Sequence, residues 1–325
     1  MQRISIILLV SLLTVLYGCQ NTPEVKVGVH ACATMPNGGL AAASVTVLDG
    51  KAYVFAGRDK DGVYQNQLWQ YDPIADSWTS LGTCPGKQRV NATMASVDDL
   101  LYLGLGYAAT RAYNDSAYLC DWWSYNPANG QWNRLADFPN RNTVAAKSFS
   151  VNGKIYTMYG FGYGFTRTIC VYSPEEDKWA QWPEQSYSAT GCFGACGALC
   201  GGLLYFGLGY DTHNLTQWYE VALPSDSWTK RRSIPGKGRE LSACAASDRY
   251  VYVFGGRHFG GDRTGGEVFD TFMRYVPETD QWEWCGTMPC GRAENQVAFT
   301  INGKVFFGLG ENVDKQVISQ LYCIE

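Results

Sequence analysis

The sequence predicts an all-β fold, a six-bladed propeller of four-stranded antiparallel blades whose last blade is closed by an N-terminal strand. Three observations carry this expectation. A short apolar strand ending in glycine recurs six times, a tryptophan follows each of the first five copies, and the two chain ends hold complementary parts of one repeat. Such self-similarity at a period near fifty residues is the mark of radial repetition.

The recurring strands are Ala52–Gly57, Leu101–Gly106, Ile155–Gly160, Leu204–Gly209, Val251–Gly256 and Val305–Gly310, and their closing glycines lie 49, 54, 49, 47 and 54 residues apart. Trp78, Trp132, Trp179, Trp228 and Trp282 follow, two of them behind the turns Tyr71-Asp72-Pro73 and Tyr125-Asn126-Pro127. Asp-Pro and Asn-Pro supply turn chemistry, and each indole is large enough to fill the gap between neighbouring sheets. The sixth repeat has no such tryptophan because the chain stops at Glu325. Its missing outer strand is expected near residues 24–34, since Cys32-Ala33-Thr34-Met35-Pro36 nearly duplicates Cys285-Gly286-Thr287-Met288-Pro289 at the end of the fifth repeat. Closing the ring this way would remove an exposed sheet edge.

Composition agrees with this architecture. With 36 glycines, 14% aromatic and 46% hydrophobic residues, the chain has many turns and ample core. A formal net charge of -4 gives no basic field for following phosphates, so nucleic acid is excluded as a partner.

The first residues read as an export signal: Arg3 precedes an apolar run from Ile4 to Leu16 that is too short for a membrane span. Leu16-Tyr17-Gly18-Cys19 resembles a bacterial lipobox, which implies a signal peptide over 1–18 and lipidation at Cys19. A short linker over 19–23 and a propeller over 24–325 follow. Gln20 in place of aspartate points to the outer membrane. The anchor makes the membrane one partner, since each buried CH₂ contributes about 0.8 kcal/mol.

Glycine doublet, tyrosine and tryptophan in this order resemble the Kelch repeat of the galactose oxidase/Kelch propeller superfamily over nearly all of the mature chain. Blades 2, 4 and 6 end in Gly-Leu-Gly instead, a form similar to Kelch lipoproteins of Bacteroidetes type. In such propellers the loops between strands 4 and 1 and between strands 2 and 3 share one face. The resemblance therefore implies that Arg58, Arg89, Arg141, Arg239, Arg257 and Arg292, with Tyr107, Tyr163 and Tyr210, line a ligand face there. Arginine suits a carboxylate and tyrosine a sugar face or a protein. The same residues also fit a bland role, arginines tying blades together and aromatics packing their own loops.

No catalytic motif stands out. The expected function is binding of a glycan or protein ligand. The alternative is isomerisation of an acidic sugar such as N-acetylneuraminate, implied by resemblance to the sialic-acid mutarotase, with Glu240 and Glu294 as candidate catalytic groups. No cofactor or metal is expected. Cys192, Cys196 and Cys200 fall about 13 Å apart on an extended strand, too far to share one zinc ion, and His213 with His258 lacks a third ligand.

Overall fold

A computed structural model describes residues 22–108, 117–139, 143–162, 164–182, 191–225, 227–261 and 266–325. Arg141, Tyr163 and Cys19, the residue expected to carry the lipid, lie outside the described residues. Among those described, the strands form six four-stranded antiparallel sheets, the six blades expected. The inner strands, in blade order, are Ser44–Leu48, Thr93–Val97, Lys147–Val151, Cys196–Cys200, Ala243–Ala246 and Val297–Ile301. In five of the six blades the inner strand turns back into the next through a two-residue hairpin that uses positive φ, as at Asn152 (51°) and Gly153 (73°), while blade 5 uses the four-residue loop 247–250. The second strands are the recurring apolar strands of the sequence, and all but their first residues are almost wholly buried. Among the described residues no helix is long and apolar enough to cross a membrane.

Ring closure follows the expectation with one refinement. The outermost strand of blade 6 is Val29–Ala31, paired with Leu321–Ile324 in the register His30↔Cys323. The residues before it do not extend that strand. The carbonyl of Pro23 accepts from the Trp284 amide at 2.7 Å, and the Val25 amide donates to the Trp284 carbonyl at 2.8 Å, so this segment runs parallel to the outer strand of blade 5. One short N-terminal stretch thereby joins two neighbouring blades.

The closing glycines do more than end strands. The Gly310 amide donates to the Leu40 carbonyl of blade 1 at 2.9 Å, and a Cβ there would fall 2.5 Å from the Glu294 carbonyl oxygen, so only glycine lets the blades approach. In the Gly-Leu-Gly blades the first glycine is needed too: a Cβ on Gly104 would sit 2.1 Å from the Asp121 carbonyl oxygen.

Ahead of each inner strand stands one residue at positive φ: Ala42, Asn91, Ala145, Gly194, Leu241 and Asn295. The amides of Ala42, Asn91, Ala145, Leu241 and Asn295 each donate to the corresponding carbonyl of the preceding blade at 2.9–3.2 Å. These five backbone hydrogen bonds form a belt linking every pair of neighbouring blades but 3 and 4, and the belt position fixes which neighbouring side chains reach the mouth.

Candidate ligand-binding mouth

Counting from the belt decides every candidate. The residue just before each belt position pairs with the residue just after the closing glycine of the same repeat: Ala41↔Arg58, Val90↔Tyr107, Val144↔Phe161, Phe193↔Tyr210, Glu240↔Arg257 and Glu294↔Glu311. These twelve positions form the rim. Arg89 and Arg239 stand one residue further back, so their side chains turn down between blades. Arg292 stands a further step back in its own repeat and ends up exposed.

The expected ring of ligand-facing arginines therefore needs correction. Arg89 is fully buried and grips Asp121 with two hydrogen bonds of 2.6 and 2.7 Å, while also donating to the carbonyls of Lys87 and Leu105. Arg239 is 4% exposed, lies 4.0 Å above the Phe269 ring and donates to the Gly255 carbonyl and the Thr271 hydroxyl. Burial without a carboxylate lowers its pKa to about 10. Both are internal ties, Arg89 holding its loop to blade 2 and Arg239 to blade 5, and a buried guanidinium has no room for a ligand.

Arg58, Arg257, Tyr107 and Tyr210 do reach the rim, and there the mouth divides in two. On the side of blades 5, 6 and 1, a chain of ion pairs runs from Glu240 to Arg257 (2.7 Å), from Arg257 to Glu294 (3.3 Å), on through Lys315 to Glu311, and ends at Arg58. Three carboxylates meet three cations, so this half carries no net charge. The carboxylates are the buried members, Glu294 only 1% exposed, whereas Lys315 is half-exposed. Burial raises the pKa of Glu240, an effect that the Arg257 charge and hydrogen bond only partly offset. One oxygen of Glu294 has Arg257 within ion-pair distance but no hydrogen bond of acceptable geometry, leaving an acceptor unused.

The side of blades 2, 3 and 4 is aromatic. Tyr107 packs edge-on against Tyr118 at 5.1 Å. Phe193, Phe161, Phe165, Tyr210 and Phe259 follow one another with ring centroids 5.2–6.4 Å apart. The halves meet where Arg257 lies 5.3 Å above the Phe259 ring. Beside this junction opens a cleft of about 650 Å³ lined by Tyr210, Phe259, Lys237, Glu267 and both His213 and His258. His213 lies 3.0 Å from Asp211, and His258 Nδ1 is 2.8 Å from the Gly238 carbonyl. Among the described residues no group of three His, Cys, Asp or Glu is placed to hold a metal ion.

Sequence reasoning missed Lys315, which sits four residues after a closing glycine-plus-one glutamate in a turn and gave no motif. It also missed Lys147, the only charged residue among the described residues lining the central channel, a cavity of about 430 Å³.

Comparison with known proteins agrees with this geometry. Residues 21–209 match the KLHDC2/KLHL20/DRC7 Kelch-repeats domain and residues 238–289 the Kelch motif. The chain belongs to the Kelch-repeat propellers. Kelch-like protein terF of Aspergillus terreus is 31% identical over 255 residues, 74% of this chain and 54% of that protein. Kelch-like protein 25 of Xenopus tropicalis is 26% identical over 250 residues, 74% of this chain and 39% of its own length. The chain thus spans about half or less of these relatives. An N-acetylneuraminate epimerase of Yersinia enterocolitica is 32% identical over 111 residues, 33% of this chain and 27% of the enzyme. The solved structure of YjhT superposes with a TM-score of 0.75 at 17% identity, covering 90% of this chain and 96% of that one, which establishes the shared propeller fold. Protein binding is consistent with membership in this family.

Proposed function

We propose that this Kelch propeller is a non-catalytic binding protein, held at the bacterial envelope through Cys19, whose divided mouth recognises a protein ligand. The observation that carries the reading is the rim itself, a run of aromatic rings joined through Arg257 to a neutral ion-pair network. Tyr and Phe offer rigid apolar area at low entropic cost, and the partly exposed Arg257 and Lys315 offer donors beside it, which suits a partner presenting apolar side chains together with carbonyl acceptors. A peptide segment combines those features. An acidic sugar fits less well, because its carboxylate must first displace Glu311 from Arg58 or Glu240 from Arg257.

A second reading, an isomerase of an acidic sugar, draws on the local similarity to N-acetylneuraminate epimerases and on Glu240, a buried carboxyl with raised pKa touching Arg257. One set of measurements separates the two. Crosslinking in native envelopes should capture a protein with the wild-type chain and about ten-fold less with Tyr210→Ala or Phe165→Ala, and Cys19→Ala should move the chain out of the membrane fraction. Capture that ignores both aromatic substitutions sinks the binding reading. Acceleration of N-acetylneuraminate anomer exchange, followed by proton NMR, would replace it with the enzyme, and selective signals on a glycan array would replace protein with glycan.

A further inference from the structure

Below the mouth, the channel wall holds two thiols that neither the rim nor the fold requires. Cys196 begins the inner strand of blade 4 and Cys244 lies in the inner strand of blade 5. Small neighbours, Gly197 and Ala198 on one strand and Ala243 and Ala245 on the other, let the two strands come close. The sulfurs are 2.7 Å apart, though both residues are free thiols. That separation exceeds a disulfide bond of about 2.05 Å. It is well short of the roughly 3.8 Å that two thiolates keep when sharing a tetrahedral zinc at about 2.3 Å each. The spacing thus favours a bond between the sulfurs over a shared metal. Cys196 is buried, whereas Cys244 is partly exposed along the channel. Lys147 lines the same channel from blade 3, where its charge opposes, without overcoming, the burial and the Cys196 hydrogen bond that push the Cys244 thiol well above its ordinary pKa.

We propose that Cys196 and Cys244 form a redox site in the channel, a dithiol that small disulfides convert to a crosslink between blades 4 and 5. The Cys244 thiol gives its proton to solvent, and its thiolate attacks one sulfur of a small aliphatic disulfide. The old sulfur–sulfur bond breaks, one thiolate leaves and takes up a proton, and a mixed disulfide forms on Cys244. Cys196 then attacks Cys244 Sγ, expelling the second thiolate, which takes the Cys196 proton. In total two protein thiols are oxidised to one disulfide while the small disulfide is reduced to two thiols. Lys147 acts as a positioning cation whose charge offsets part of the burial that disfavours the Cys244 thiolate. It touches no group of the ligand face, so the site is independent of what the mouth binds.

The test uses the folded full chain and hydroxyethyl disulfide. Graded exposure, alkylation of remaining thiols and peptide mapping should show a Cys196–Cys244 crosslink, a mass loss of two hydrogens. Half-conversion is expected at a disulfide-to-thiol ratio about ten-fold lower than for any other cysteine. The oxidised chain should melt at a higher temperature, and dithiothreitol should reverse both changes. Cys196→Ser should stop at the mixed disulfide on Cys244. Lys147→Met should slow crosslinking about ten-fold without changing the product. The proposal is overturned if Cys196 and Cys244 are alkylated independently after exposure, if the wild type stops at a mixed disulfide, or if another pair, such as Cys32 with Cys323, crosslinks first. Because wild-type mapping decides the matter alone, a variant that fails to fold leaves the outcome intact.

Discussion

Arg89 shows how one residue of register separates a ligand contact from a structural tie. Its guanidinium satisfies Asp121 in a two-pronged grip, Trp123 Nε1 donates to the same carboxylate at 2.7 Å, and nothing of Arg89 reaches solvent. Removing one member of such a pair strands the other's charge, at a cost of about 3–5 kcal/mol. Arg89→Met should therefore lower unfolding free energy by about that amount in urea titrations, while Arg58→Ala should cost less, because buried Glu311 keeps Lys315 and the Asn295 side-chain amide as partners. Burial alone would raise the Asp121 pKa, but the Arg89 hydrogen bonds and charge outweigh it, and the pKa lies below the ordinary value. A depressed carboxyl stabilises the fold above its unfolded pKa of about 3.9 and loses that contribution as pH falls through the folded value. The gap between wild type and Asp121→Asn should accordingly be constant above about pH 5 and shrink in stronger acid. A gap that instead widens in acid would contradict this assignment. The same register explains what the sequence could and could not reveal. The six glycine-closed strands announce themselves by spacing alone. Which arginine faces the mouth depends on the belt residues Asn91, Leu241 and Asn295, whose positive φ leaves no motif because asparagine and leucine occupy it alike.

At the scale of elements, the tryptophan of the repeat is one part of a latch. In blade 5, the Trp282 indole donates to the Arg232 carbonyl of blade 4 at 2.8 Å, and Asp280 accepts from the Arg232 amide at 2.8 Å and from the Tyr275 hydroxyl at 2.8 Å. Blade 3 repeats it with Trp179, Asp177 and Tyr172 on Ala136 of blade 2. Blade 1 does the same with Trp78, Asp76 and Tyr71 on Ala33. The aspartates hold positive φ of 44–53° at the turn, where their short polar side chains are tolerated. Gly130 stands at the corresponding turn of blade 2. Among the described residues, this complete latch is seen in blades 1, 3 and 5, each clasping the blade before it. The tyrosine and tryptophan were readable as a repeat, but the aspartate two positions before each tryptophan was not singled out. Its partners lie about fifty positions away. Asp280→Ala should remove two acceptor contacts and strain the turn, costing about 2–3 kcal/mol, whereas Asp280→Asn should keep most of the stability. Equal losses for both would show that charge, not acceptor geometry, holds the latch.

For the whole molecule, the three latches and the belt make ring closure depend on a few residues far apart in the chain. The latch of blade 1 grips Ala33, immediately after Val29–Ala31, so the strand that completes blade 6 also anchors blade 1. Residues 23–25 hold blade 5 from the same segment. Removing residues 22–34 should therefore do three things at once: expose the edge of Leu321–Ile324, leave the Trp78 indole and Asp76 without their backbone partners, and free the outer strand of blade 5. Exposed edges pair with other chains, so the truncated protein should melt at least about 10 °C lower and aggregate on heating. Removing only residues 22–27 takes away the blade 5 contact but leaves the closing strand, and should shift melting by a few degrees at most. Addition of a peptide spanning 22–36 should restore much of the loss, because the vacant edge is a template for its pairing. Calorimetry of the two truncations decides the matter. Equal melting temperatures for the long truncation and the intact chain would mean that the belt alone holds the six blades in a ring.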